Sequence, residues 1–404
     1  MTDLGLASGR PAPAPVLSPL PRRLAVCGLG LAGLLAATAA LSPVAALGGA
    51  AAAAVVAVVF VRPVVGTYLV MAVTPLIVGI DRGSVIPVVR PSEAVLLLVE
   101  GAVVARWFLL APARSWRLRL RLSRLDLSIL LLAVCASVLP LLWMLARGLT
   151  PVRDDLLYTF TLWKYAGLYW LVRATVKTER QVATCLLLSV SVAVVVALVG
   201  ILQALNLGGV PDLLARFYAP FDDPGLLKLN RASSTIAQPQ GFADFVVFNL
   251  AIALAWLPRV RRIRPVAPVW LLSGASVLFF FAALASGQFS GFIGLAVGVV
   301  VIAAVTPAVR RRAPAFVPLA ALGAVALRPV LSRRLAGFEG GAIPVSWEGR
   351  LENLRTYFWP PLHRWSNFLL GVRPLPRVPG PSRSGRPFIF IESGHTWLLW
   401  TGGV

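Results

Sequence analysis

Apolar runs of membrane-crossing length recur along this chain, and that recurrence constrains its fold more than any other feature. A helix needs roughly 17–25 apolar residues to cross a hydrocarbon core of about 30 Å. Runs of that kind lie at 24–42, 45–61, 64–80, 92–110, 127–146, 157–173, 183–206, 236–257, 268–285, 290–305 and 314–329. Another apolar segment begins at Trp397 and reaches Val404. Of the 404 residues, 58% are hydrophobic and 13% charged. A soluble domain carries about 25% charged residues, and a disordered chain is more polar still, so both classes are excluded. The sequence predicts an all-α polytopic membrane protein of about 11–12 transmembrane helices.

The domain reading follows from these runs. Residues 1–23 form a cytoplasmic N-terminal tail, 24–329 the transmembrane bundle and 330–396 a long extracytoplasmic loop before the last helix. Residues 397–404 begin a final span, which reads as truncated because eight residues cannot cross ~30 Å as a helix. The first run follows Arg22 and Arg23 and, with ten more behind it, reads as an uncleaved anchor rather than a signal peptide. With the N-terminus inside, the short inner segments hold 19 Lys and Arg and the short outer loops 7. That asymmetry is the positive-inside pattern.

Lys and Arg number 38 against 16 Asp and Glu, and the only lysines are Lys164, Lys177 and Lys228. No basic stretch sits in a soluble domain, so nucleic acid is not an expected partner; membrane lipids are. Most of these arginines mark inner loops. A few outside remain candidates for an anionic ligand, since guanidinium grips phosphate through two parallel hydrogen bonds. Cys27, Cys135 and Cys185 fall inside apolar runs, and His363 and His395 are the only histidines. Neither set has metal-ligand spacing, so no metal and no cofactor is expected.

Charges also occur at membrane depth, where each costs on the order of 3 kcal/mol and needs a cavity or a partner. Glu93 and Glu100 are two turns apart on one helical face. Glu100, Lys164 and Asp244 share a depth of roughly 10–12 Å below the outer surface at 1.5 Å per residue. Their equal depth suggests either an ion pair between Lys164 and one of the carboxylates or a water-filled cavity opening outward. In the long outer loop, Trp347, Leu351, Leu354 and Phe358 recur at helical spacing behind Ser346, with Pro360-Pro361 as the expected stop. This predicts an amphipathic helix on the outer membrane face. Pro374 to Pro387, rich in Pro, Ser, Gly and Arg, reads as a mobile loop.

From Arg231 onward the chain carries a series of short motifs. Arg231-Ala-Ser-Ser-Thr235 and Gln238-Pro239-Gln240-Gly-Phe242-Ala243 open a span, and Ser286-Gly287-Gln288-Phe289-Ser290-Gly291 forms a tight outer turn. Arg350-Leu351, the aromatic stretch to Trp359, Pro361 and Leu370-Gly371-Val372 follow. Glu392-Ser393-Gly394-His395, Leu398-Leu399 and Gly402-Gly403 close the series. In order and spacing they resemble the O-antigen ligase/O-antigen polymerase family of bacterial membrane proteins, over about 170 residues; the first 230 resemble it in helix layout. Three departures stand out. Gln288 or Phe289 replaces an Arg common in the turn, Pro239-Gln240 replaces a Pro-Asn pair, and Ser393-Gly394-His395-Thr396 replaces a closing His-Asn or Asp-Asn.

The resemblance implies a GT-C-like glycosyltransferase of the bacterial cytoplasmic membrane, acting in surface polysaccharide biosynthesis. Its donor would be a glycan on undecaprenyl pyrophosphate and its acceptor a hydroxyl of another glycan or lipid, on the extracytoplasmic face and without a metal. Arg231 and Arg350 are then the candidate pyrophosphate ligands, and His395 and Glu392 the candidate acceptor bases. Plainer roles stay open: Arg231 as a snorkelling interfacial anchor, Arg350 as a solvated loop charge, His395 as an interfacial histidine. Two other functions fit the same layout. One is a transporter or flippase for lipid-linked saccharides, although no internal repeat supports it. The other is a different polyprenyl-phosphate-sugar transferase with Asp81 or Asp154-Asp155 as its base.

Overall fold

In the computed structural model, the described residues are 43–82, 89–110, 122–218, 231–257, 269–311, 313–336, 338, 345–380 and 388–404. The expected tail 1–23 and span 24–42 lie outside them. Pro43–Val58 belong to one unit and the residues from Val59 onward to a second, which carries every feature below except most of α1.

The helices α1 (Pro43–Val61), α2 (Pro63–Ile77) and α3 (Pro91–Leu110) each begin on a proline, whose fixed φ suits a first turn and whose missing N–H is not needed there. The expected run 127–146 is split into α4 (Arg124–Cys135) and α5 (Val138–Ala146). Pro140 cannot donate to the Ala136 carbonyl, and the Ser137 hydroxyl donates to the Ala133 carbonyl at 2.6 Å, so the helical ladder breaks between them. Run 157–173 is likewise two pieces, α6 (Arg153–Thr159) and α7 (Thr161–Thr175). Helix α8 (Glu179–Ala204) is 26 residues long and starts at a Thr178/Gln181 capping box.

After α9 (Val210–Phe217) come α10 (Pro239–Trp256), α11 (Val269–Ala285), α12 (Phe289–Val305), α13 (Pro307–Arg310), α14 (Phe316–Ala326) and α15 (Arg328–Ala336). Of the described residues, 80% are helical. Among the described residues, three helical stretches are long and apolar enough to cross a membrane: Arg124–Ala146 (α4 with α5), Glu179–Ala204 and Pro239–Trp256. Five shorter apolar helices accompany them. Helix length is set by breakers rather than by where the apolar run stops: α11 and α12 have 17 residues each, bounded by the Ser286-Gly287 turn and by Pro307.

The main core lies between α8, α10 and α11, around Val196, Phe242, Val246, Leu250 and Phe279. Gly200 makes it possible: a Cβ there would lie 2.4 Å from Cζ of the fully buried Phe242 ring. The outer surface, by contrast, is covered with exposed apolar side chains, among them Leu131, Phe248, Val300 and Val325.

The segment expected outside the membrane is more ordered than its composition suggests. Helix α16 (Val345–Asn353) runs through a π turn at Leu354–Phe358 into α17 (Trp359–Leu362). Pro360-Pro361 therefore does not stop the helix at 359. The π turn resets the hydrogen-bond register, so both prolines fall in the first turn of α17, where no N–H is needed. Then come α18 (Trp365–Leu370), β1 (Arg377–Pro379) and β2 (Phe388–Phe390), and α19 (Gly394–Gly402). The strands pair antiparallel with Val378 opposite Ile389, so part of the expected mobile loop is a ribbon; residues 381–387 lie outside the described set. Phe358 and Trp400 meet edge to face at 5.2 Å in a small second core with Leu362 and Val372.

Candidate functional site

The motif beginning at Arg231 folds into a buried and strained turn. Ser234 and Ala237 have φ of 51° and 62°, a region costly for residues with a Cβ. The turn persists because neighbouring elements over-determine it. Gln203, near the end of α8 and 1% exposed, accepts from the Ser233 N–H at 2.9 Å and the Ser234 N–H at 2.7 Å, and donates to Ser233 Oγ at 3.1 Å. The Ser234 hydroxyl donates to the Val196 carbonyl and the Thr235 hydroxyl to that of Pro75, both at 2.7 Å. The Gly79 N–H donates to the Thr235 carbonyl at 3.0 Å. Four stretches of chain, around 75–79, 196–203, 231–237 and 285–286, converge here.

Arg231 leaves this turn half-buried. Its Nε donates to the Ser286 carbonyl at 3.4 Å while the Ala232 N–H donates to that of Ala285 at 3.0 Å. Two motifs read separately in the sequence are thus one structural feature. Phe289, at the start of α12, packs on Phe338 at 5.3 Å, which brings the start of segment 330–396 alongside.

The other candidate pair also forms. Arg350, on α16, makes an ion pair through Nε with Glu392, and both side chains are well exposed. Three residues on, His395 stands exposed in the first turn of α19, whose cap Ser393 accepts from the Thr396 N–H. The hydrogen bond described for Arg231 goes to Ser286, so Arg231 and the Arg350–Glu392 pair occupy different elements.

The charges at depth arrange themselves differently from the expectation of equal depth. Lys164 pairs with Glu93 at 2.6 Å, and Arg82 reaches the same carboxylate oxygen at 3.0 Å. Glu100 lies instead against Gly167, where a Cβ would sit 2.3 Å from its Oε1, and that buried oxygen has no hydrogen-bond partner. Asp244 is exposed on α10, on the side of the exposed Phe248.

Asp154 and Asp155, read from the sequence as the base of an alternative transferase, are instead taken up in ion pairs. Asp155, wholly buried, accepts from Arg373 Nε and Nη2 at 3.0 and 2.7 Å, and from the Val152 and Leu375 N–H groups. Asp154 pairs with Arg377, whose guanidinium also covers the Phe388 ring. The two aspartates are therefore ion-paired to the outer segment and fix it on the α5–α6 corner. Gln203 could have been found as a polar residue near the end of an otherwise apolar run; the partners of Asp155 had no local signal.

These features define a mostly helical protein with helices apolar enough for a membrane and a polar segment docked at one end. Family models, curated proteins and solved structures offer no match to the chain.

Proposed function

We propose that this chain is an integral membrane glycosyltransferase of the O-antigen ligase/polymerase type, spanning the bacterial cytoplasmic membrane many times with its N-terminus inside. The observation that carries the reading is the turn at 231–237. Backbone strain of about 1–3 kcal/mol per residue is retained at functional sites, where the surroundings over-determine the geometry. Here the strain, the buried Gln203 clamp and the Ser286 contact all fix one cation, Arg231, at the outer end of α11. The belt of exposed apolar side chains on the helices supports immersion in lipid.

In this reading the acceptor oxygen bonds to the anomeric carbon as the bond from that carbon to the diphosphate breaks. The electron pair leaves with the diphosphate, whose charge the guanidinium groups stabilise. The acceptor proton passes to Glu392 or His395. Arg350, paired with Glu392, supplies a cation next to that base.

The test is glycan transfer by the purified chain in lipid nanodiscs, supplied with an undecaprenyl-diphosphate glycan and a hydroxyl acceptor. Arg231→Ala should abolish transfer and leave membrane insertion unchanged. Near-normal product from that variant would refute the assignment, and movement of donor across vesicles without transfer would favour a flippase.

A further inference from the structure

Where segment 345–380 docks on α5, a buried amide bonds the Arg147 guanidinium, and Arg364 and Arg373 lie on the stretch of chain that carries that amide. Asn367, 3% exposed, accepts through Oδ1 from Trp143 Nε1 at 2.9 Å and Arg147 Nη1 at 3.3 Å, and donates to the Pro361 carbonyl at 2.8 Å. Its own N–H donates to the Arg364 carbonyl at 2.9 Å, which sets Arg364 one turn back on the same segment. Arg147 Nη2 donates to the Val372 carbonyl, and Arg373 follows directly.

The charges in this cluster do not balance. Asp155 is its carboxylate, and that group is engaged by the fork of Arg373 and by two backbone N–H groups. Arg147 bonds only neutral acceptors: the Trp143 and Val372 carbonyls and Asn367. Its ring contact with Trp143 at 5.4 Å holds the guanidinium plane, and one N–H on each terminal nitrogen is left over. Arg364 is exposed and, among the described residues, has neither a hydrogen-bond nor an ion-pair partner for its side chain. Burial lowers the proton affinity of Arg147, and the charges of Arg364 and Arg373 lower it further. Arg147 is held in place by its own contacts, and its two unspent N–H donors suit an oxygen of a tetrahedral oxyanion.

We infer that Arg147 and Arg364, with Arg373 beside them, form a binding site for a phosphate group, separate from Arg231. The chemistry is shared by a lipid headgroup and by free phosphate or diphosphate. Trp365, 72% exposed and stacked on Phe368 at 6.0 Å, borders the cluster as an interfacial aromatic would. Under the membrane reading, on which the choice of source rests, the ligand is an anionic phospholipid of the outer leaflet.

The experiment uses the full chain purified in detergent and in nanodiscs. Calorimetric titration with inorganic phosphate and diphosphate reads the free ligands. Retention of phosphatidylglycerol against phosphatidylcholine, read by native mass spectrometry, tests the lipid. Arg364→Gln should weaken binding about tenfold with an unchanged melting temperature, because its side chain holds nothing else in place. Preferential phosphatidylglycerol retention assigns the lipid, while binding of free diphosphate alone overturns the lipid source and keeps the phosphate site. No binding in any arm, or equal binding by wild type and Arg364→Gln, overturns the site. The Arg364-dependent binding should persist in Arg231→Ala whether or not transfer is lost, so this proposal and the transferase reading fail separately.

Discussion

Asp155 and Arg373 join two parts of the chain separated by 218 positions through a forked ion pair, with Nε and Nη2 of the arginine at 3.0 and 2.7 Å from the two carboxylate oxygens. The aspartate is wholly buried and also accepts two backbone N–H groups, so removing it strands a guanidinium and two amides at once. Asp155→Ala should destabilise the docked outer segment by about 3 kcal/mol. Limited proteolysis should then cut between 364 and 388 before the rest of the chain unfolds. Unchanged protease resistance would show that the small core around Phe358 and Trp400 holds the segment alone.

The clamp at Gln203 predicts a different failure. Gln203→Leu keeps the side chain's bulk but leaves the Ser233 and Ser234 N–H groups buried without an acceptor, in a turn already strained at Ser234 and Ala237. Each orphaned amide costs about 1–3 kcal/mol, so the turn should relax and release Arg231 rather than persist. Transfer should fall as far as in Arg231→Ala, with protein still inserted. Hydrogen exchange at 232–235 should rise in parallel. Full transfer with fast exchange would separate the turn from the activity.

Close helix approach gives a prediction with its own suppressor. Gly200→Ala places a methyl group against the Phe242 ring, which is fully buried and has nowhere to retreat. Overpacking of this kind costs about 1–3 kcal/mol. Phe242→Leu removes the ring atoms that clash, so the double variant should melt above Gly200→Ala. If the two changes simply add, the helices are not in contact at that point.

The legibility of this structure in its sequence follows the range of each interaction. Apolar runs and the prolines that open α1, α2 and α3 are local signals, and the helices appear close to where those signals put them. The break at 136–137 was also written locally, in Ser137 and Pro140, but an unbroken apolar count hides it. The ribbon at 377–379 was not legible, because a Pro- and Arg-rich segment becomes a strand only when Phe388–Phe390 pairs with it. At the candidate site, Arg231, Arg350 and Glu392 were each visible as outer charges. Which residues hold them was not, because Gln203 and Ser286 are brought to Arg231 by the packing of α8 and α11.

The exposed Arg350–Glu392 pair offers the sharpest separation of structure from chemistry. An ion pair this open to solvent adds about 0–1 kcal/mol, so neither Arg350→Ala nor Glu392→Gln should move the melting temperature appreciably. If the guanidinium stabilises the departing diphosphate, Arg350→Ala should lower transfer by about a hundredfold even so, the scale of losing one fixed electrostatic donor. The swapped variant Arg350→Glu with Glu392→Arg restores opposite charges across the gap but sets the cation on the strand side and the carboxylate on α16. It should therefore regain the pair without regaining transfer. Recovery of activity by the swap would mean that the contact serves only to fasten α16 to the start of α19.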